Sequence, residues 1–120
     1  MTGTVGGDRR AAGRAAEDAA LEHLRRNGLK LVKRNYLSRC GEIDLIMRDG
    51  ATLVFIEVRY RARKSHGNAA ETVDRRKRAK LIATAQSYLQ RSRWRHACRF
   101  DVVALSADSV DWIRDAFRGD

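Results

Sequence analysis

The chain has 120 residues, of which 43% are hydrophobic, and this length supports one compact core but not two ordinary domains. A membrane span is excluded, because 33% of the residues are charged and no apolar run approaches 18 residues. The start of the chain also lacks the apolar stretch of a signal peptide, so we expect a cytoplasmic protein without a membrane partner. The formal net charge of +10 favours binding to phosphate polyanions. Cys40 and Cys98 stand far apart without metal-ligand spacing, which argues against a disulfide framework and a structural zinc site.

The first part of the chain predicts a leader followed by a helix. Residues 1–8 contain three glycines and no apolar periodicity, so we expect them to be disordered, with one domain over residues 9–120. The stretch from about Arg9 to Asn27 is rich in alanine and leucine and has strong helix propensity. Gly28 follows at the position where a left-handed C-cap glycine commonly ends a helix.

Three strands are predicted next, over residues 29–37, 41–48 and 52–60, because these segments are short, β-branched and partly alternating. Asp49-Gly50 lies between the last two and is a strong hairpin signal. An antiparallel meander follows from this arrangement.

The rest of the chain predicts a crossover. A helix from Thr72, its candidate N-cap, to about Arg93 has apolar residues at helical spacing, and residues 98–105 read as a buried strand. A strand, a helix and a strand in succession place the fourth strand parallel to its partner. Residues 110–113 predict a weak last strand, and residues 115–117 a frayed turn. The predicted fold class is therefore α/β, an αβββαβ core in which helices flank a mixed sheet.

Acidic residues occupy positions where apolar ones are expected. Glu17 shares a helix face with Leu21 and Leu24, so it needs a partner there, unless it reaches solvent or an arginine at the end of the apolar stripe. If Asp49-Gly50 is a two-residue turn, Asp44 and Glu57 are diagonal neighbours on adjacent strands, about 7–8 Å apart at the backbone.

Two interpretations of this acidic pair stay open. Glu57 is bracketed by apolar residues and could be the ion-pair partner of Arg59 or Arg61. Alternatively, Asp44 and Glu57 are hard oxygen ligands for Mg²⁺ or Mn²⁺, which would neutralise the pair and position water against a phosphodiester.

Three segments carry a family resemblance: GEIDLI at 41–46, FIEVRYR at 55–61, and residues 13–36. They resemble the YraN-like family of small bacterial proteins, which is similar to the archaeal Holliday junction resolvases and the wider PD-(D/E)XK nucleases. The resemblance covers residues 13–105 and implies a restriction endonuclease-like fold. It also implies catalytic roles for Glu17, Asp44 and Glu57, with a metal ion bound by the last two and by the Val58 carbonyl. Resolvases act on branched DNA as dimers, so the resemblance further implies a DNA substrate and a homodimer.

Arg59 departs from the pattern, since the resemblance places a catalytic lysine at this position. Arginine keeps the charge, but its guanidinium is larger, planar and effectively always protonated, so it could grip phosphate without replacing the lysine. A slow metal-dependent endonuclease acting on DNA and a nuclease-like module that binds DNA or RNA without cutting it both fit. A scaffold whose acids only pair with arginines is a third, weaker hypothesis.

Basic residues adjoin the acidic pair in sequence. The segment from Thr72 to Arg99 contains nine basic residues and one acidic residue. Arginine-rich surfaces are, however, also common in proteins without a nucleic-acid role. We expect phosphate contacts rather than base-specific ones, with DNA favoured over RNA. The candidate nucleic-acid-binding residues are Arg61, Arg63, Lys64, Arg75, Arg76, Lys77 and Lys80.

Overall fold

A computed structural model describes residues 5–61 and 73–119, with side chains from residue 13 onward. The elements in chain order are α1 (Val5–Arg26), β1 (Lys30–Ser38), β2 (Gly41–Asp49), β3 (Thr52–Tyr60), α2 (Arg75–Ser92), β4 (Cys98–Leu105) and β5 (Val110–Phe117). The five strands form one sheet in the order β1-β2-β3-β4-β5. Only β3 and β4 pair in parallel within this sheet; the other neighbours are antiparallel. The predicted αβββαβ order and mixed sheet are confirmed, and the topology is compatible with a restriction endonuclease-like core.

Each face of the sheet is covered by one helix. On one face, Ala20 and Leu24 of α1 pack in a cluster with Val54 and Ile56 of β3. On the other face, Leu81 of α2 belongs to a second cluster, which also contains residues of β2, β3 and β4. The alternation of side chains along β3 explains this arrangement, because neighbouring residues of a strand point to opposite faces. The central residues of β3 are therefore buried on both faces, and its one acidic residue, Glu57, ends this buried run.

The ends of the helices differ from the prediction at two places. Helix α1 begins at Val5, so residues 5–8 are helical rather than part of a disordered leader; residues 1–4 lie outside the described residues. Glycine lowers helix propensity by about 1 kcal/mol but does not forbid the helical backbone, which is why Gly6 and Gly7 misled the assignment. Helix α2 begins after Asp74, whose side chain accepts a hydrogen bond from the backbone N–H of Lys77, so Asp74 is the N-cap. The predicted cap, Thr72, lies outside the described residues.

The β2–β3 turn is also shifted from its predicted position. Asp49 pairs with Thr52, so the central turn residues are Gly50 and Ala51 rather than Asp49 and Gly50. Gly50 has φ of 61°, which an L side chain rarely adopts, and here it is the first rather than the second central residue. This moves the strand register by two residues and changes which acids face each other.

Strand β5 is longer than the sequence predicted. It runs to Phe117, through the residues assigned to a frayed turn, because an irregularity between its pairings to Phe100 and Val102 absorbs two extra residues. Asp115 lies in this bulge with φ of 53°, and its backbone N–H donates to the buried carboxylate of Asp101. In the described part of the chain, no helix has the length and hydropathy needed to cross a membrane.

Candidate metal centre and nucleic-acid surface

Asp44 and Glu57 come together where the β2–β3 ladder ends. The last pair of the ladder is Leu45 with Ile56, so Asp44 and Glu57 are the next residues on the two strands, and they are close enough for the charge of Glu57 to act on Asp44. The register from which the diagonal arrangement was predicted is wrong by two residues, but Asp44 and Glu57 are neighbours on adjacent strands, as predicted. Past this point Oδ2 of Asp44 accepts a hydrogen bond from the backbone N–H of Val58, at 2.7 Å. The carboxylate of Asp44 thus replaces a ladder partner and is held at the end of the hairpin.

Burial and a neighbouring negative charge both disfavour the ionised form of Asp44. The pKa of Asp44 is raised from 3.8 to about 7, first because burial disfavours the charged form and second because the negative charge of Glu57 is close. The hydrogen bond from Val58 opposes this rise, while the charge of Glu17 adds to it. A cation between the two carboxylates would remove the repulsion.

Glu57 is almost fully buried, with 5% of its surface exposed, and two cations approach the same carboxylate oxygen. Oε2 lies 3.1 Å from Nε of Arg59 and 3.6 Å from Nζ of Lys77. Nε of Arg59 is buried and makes no hydrogen bond with any described residue, so this contact is a close charge pair without hydrogen-bond geometry. The ion-pair interpretation of Glu57 is thus correct for Arg59, whereas Arg61 lies against Asp111 at 3.4 Å.

Glu17 has an arginine partner beside the acidic pair. Its Oε1 accepts from Nη2 of Arg34 at 2.9 Å and from Nε at 3.2 Å. Glu17, Asp44 and Val58 nevertheless line one cavity, of about 290 Å³, between α1 and the sheet. An arginine partner for Glu17 was one of the two outcomes that its position on the helix allowed.

The donor chemistry of the pair fits a small divalent cation. The carboxylates of Asp44 and Glu57 supply hard oxygen donors, which Mg²⁺ and Mn²⁺ prefer. In residues 13–61 and 73–119, however, no three side chains of His, Cys, Asp or Glu lie close enough to share one ion. Any metal here would therefore depend on Asp44 and Glu57, with the remaining ligands supplied by backbone, water or substrate.

The candidate nucleic-acid-binding residues separate into three groups. Arg75, Arg76 and Lys80 are exposed on α2, as a phosphate-binding role requires. Arg61 is mostly buried and pairs with Asp111. Arg63 and Lys64 lie outside the described residues.

Sequence reasoning missed two features of the site and its support. Lys77 was assigned to the nucleic-acid surface, but its ammonium lies at the buried carboxylate of Glu57. The alternation along β3 could have indicated this contact, because Phe55, Glu57 and Arg59 share the strand face that α2 covers. Asp101 was not singled out within the predicted strand over residues 98–105, yet only 1% of it is exposed. It accepts hydrogen bonds from the side chains of Arg99 and Trp112 and from the backbone of Asp115, so it ties β4 to β5.

Comparison with known sequences identifies the family. The model of "Uncharacterised protein family UPF0102" matches residues 16–105. The chain belongs to the UPF0102 family. A UPF0102 protein of Ectopseudomonas mendocina (strain ymp) is 54% identical over 110 residues, covering 88% of this chain and 92% of that protein. Another, from Xylella fastidiosa (strain M12), is 50% identical over 117 residues, covering 94% of this chain and 97% of its own length. The YraN-like resemblance is confirmed, and the matched range, residues 16–105, spans both β2–β3 and α2.

Proposed function

We propose that this UPF0102 protein is a divalent-metal-dependent endonuclease that cuts DNA phosphodiester bonds. The observation that carries the proposal is the juxtaposition of Asp44 and Glu57 in a buried setting that raises the pKa of Asp44 to about 7. Structural acids are normally matched with cations or hydrogen-bond donors, so an acid that burial and a second carboxylate force toward neutrality suggests a functional site.

Asp44 and Glu57 would hold Mg²⁺ or Mn²⁺, with the Val58 carbonyl as a third protein ligand. Such an ion supplies charge stabilisation at the phosphate and lowers the pKa of bound water. The backbone N–H of Val58 keeps the Asp44 carboxylate oriented, and Arg34 keeps Glu17 close by at the cavity wall. Glu17 would orient water from there rather than ligate the ion.

The basic face of α2 supports a nucleic-acid substrate. Arg75, Arg76 and Lys80 are exposed near the helix end that carries Lys77, so phosphates bound there would lead toward Glu57. Contacts of this kind position a DNA backbone without reading its sequence, which suits an enzyme that selects a DNA structure such as a branch. A homodimer would present two such sites to a four-way junction.

One observation favours a second candidate, a module that binds nucleic acid without cutting it. Arg59 and Lys77 both lie against Glu57 and compensate its charge. A site that is neutralised by its own cations has less need of a divalent ion.

Cleavage of a labelled four-way junction and nicking of supercoiled plasmid, in Mg²⁺ and in Mn²⁺, separate these functions. The protein should cut in a metal-dependent way, and Asp44→Asn and Glu57→Gln should abolish cutting. Glu42→Gln is the matched control, because Glu42 is an exposed acid on the same strand two residues before Asp44. If the unmodified protein binds both substrates but cuts neither above the Asp44→Asn background, the binding module replaces the enzyme.

A further inference from the structure

Lys77 reaches the acidic pair from a different element than the family resemblance anticipates for a catalytic lysine. It lies in the first turn of α2, and Nζ is 3.6 Å from Oε2 of Glu57. Its backbone N–H donates to the N-cap side chain of Asp74 at 2.8 Å, which fixes where the helix begins. The backbone from which the lysine extends is thereby held in place, and 39% of its side chain stays exposed.

Arg59 occupies the strand position expected for the catalytic lysine, but its contact with Glu57 is not a hydrogen bond. Nε of Arg59 lies 3.1 Å from the carboxylate, yet makes no hydrogen bond within the described part of the chain. A guanidinium is planar and delocalised, whereas an ammonium is a compact charge with three donors that can turn toward different acceptors. Of the two cations at Glu57, Lys77 is the compact one, and its ammonium can donate to both a phosphate oxygen and a water molecule.

We propose that Lys77 is the catalytic ammonium of this site and that Arg59 serves as a phosphate clamp. The assignment rests on the proposed nuclease function. During hydrolysis the oxygen of water forms a bond to phosphorus, while the bond from phosphorus to one sugar oxygen breaks. The water gives a proton to solvent, and the leaving oxygen takes one up. Lys77 neither gives nor takes a proton in this step: it donates a hydrogen bond to the attacking oxygen and balances charge on the phosphate, with Glu57 as its anchor.

The neighbouring basic residues of α2 do not share this geometry. Lys80 lies three residues further along the helix and is exposed, and Arg76 directly before Lys77 is exposed as well. Either can contact a phosphate along the bound strand. Lys80 is consequently the matched control for Lys77, since it has the same charge on the same helix but is exposed, whereas Lys77 lies at Glu57.

The test compares Lys77→Ala, Lys80→Ala and the double variant Arg59→Lys with Lys77→Ala. Single-turnover cleavage of a four-way junction should fall about 100-fold or more in Lys77→Ala, since losing one donor to transition-state charge typically costs about 10²–10³ in rate. Lys80→Ala should lose less than about 10-fold, through weaker DNA binding alone. In the double variant, the new lysine on β3 should restore part of the lost rate, because it returns an ammonium to Glu57.

Metal affinity gives a second readout that does not depend on turnover. Titration of each protein with Mn²⁺, followed by electron paramagnetic resonance, should show affinity unchanged or tighter in Lys77→Ala, because a cation beside Glu57 has been removed. If Lys77 only holds Glu57 in place, Mn²⁺ affinity and cleavage should fall together and Arg59→Lys should restore neither; that result overturns the assignment. So does equal cleavage by Lys77→Ala and Lys80→Ala while the unmodified protein cuts. Absence of cleavage in the unmodified protein instead defeats the proposed function itself, and the Lys77 assignment with it.

Discussion

The carboxylate of Asp44 accepts a hydrogen bond from the backbone N–H of Val58, with 2.7 Å between Oδ2 and the nitrogen. This bond crosses from β2 to β3 beyond the last pair of the ladder, so a side chain does there what a backbone carbonyl does elsewhere in the hairpin. The strand end is closed by an acid whose pKa is raised to about 7 and which faces a second acid. Stability, metal binding and catalysis should all depend on this one carboxyl group.

The stability of the metal-free protein should depend on the protonation of Asp44. Its folded-state pKa, about 7, lies above the unfolded value near 3.8, so the protonated group contributes stability that is complete below about pH 4 and is lost as the pH rises through about 7. Asp44→Asn removes the titration, and its stability advantage should grow from near zero at pH 4 to roughly a few kcal/mol at pH 8. Urea unfolding in EDTA across this pH range measures the difference, and a constant offset would contradict the raised pKa.

Replacing Asp101 by asparagine should destabilise the protein, whereas the same replacement at Asp44 should stabilise it. It is 1% exposed and accepts from Arg99, Trp112 and Asp115, so its removal leaves buried donors unpaired. Asp101→Asn should destabilise the protein at pH 7 by about 3–5 kcal/mol, the usual cost of breaking a buried ion pair. Asp108→Asn, at an exposed aspartate, is the control for urea unfolding. A loss below about 1 kcal/mol for Asp101→Asn would mean that the network does not tie β4 to β5.

Glu17 should matter less for metal binding than the acidic pair. Because Arg34 holds its carboxylate, Glu17→Gln should weaken Mn²⁺ binding by less than about 3-fold, whereas Asp44→Asn should weaken it by 30-fold or more, or about 2 kcal/mol. Isothermal titration calorimetry measures both. Equal losses in the two variants would make Glu17 a direct ligand.

The exposed arginines at the start of α2 should account for part of the salt dependence of DNA binding. If each contacts one phosphate, Arg75→Ala with Arg76→Ala should reduce the slope of log K against log salt by about 1.8, since each duplex phosphate contact contributes about 0.9. Arg91→Ala is the control, because it lies sixteen residues further along the helix, about 24 Å away. Fluorescence anisotropy across a salt series gives the slopes. An unchanged slope in the double variant would move the DNA-binding surface elsewhere.

The sequence predicted the elements of this fold well because their patterns are local. The bounds of β3 and β4 were predicted without error, since short β-branched segments between turn signals leave little freedom. The β2–β3 register was not, because Asp49-Gly50 can occupy different positions in a turn and only the pairing of Asp49 with Thr52 decides between them. Asp44 and Glu57 were still found together, as both register choices keep them on neighbouring strands.

The contacts between distant segments were harder to predict. Lys77 follows Glu57 by twenty residues and reaches it only because α2 crosses the face that carries Glu57, an approach that no local spacing encodes. The pairing of Glu17 with Arg34 was anticipated only as an unnamed arginine, since it depends on how α1 lies on β1. The role of Asp101 depends on a bulge in β5 that the sequence pattern presented as a turn.

The most direct test of the central claim is the anomalous difference density of Mn²⁺ in crystals soaked with MnCl₂ near pH 8, where Asp44 should be ionised. We expect one peak within coordination distance of the carboxylates of both Asp44 and Glu57, with Lys77 still beside Oε2 of Glu57. The same soak of Asp44→Asn crystals should show no peak there. Absence of a peak in the unmodified protein, with Glu57 still paired to Arg59 and Lys77, would contradict a metal site and leave the acidic pair with a structural role.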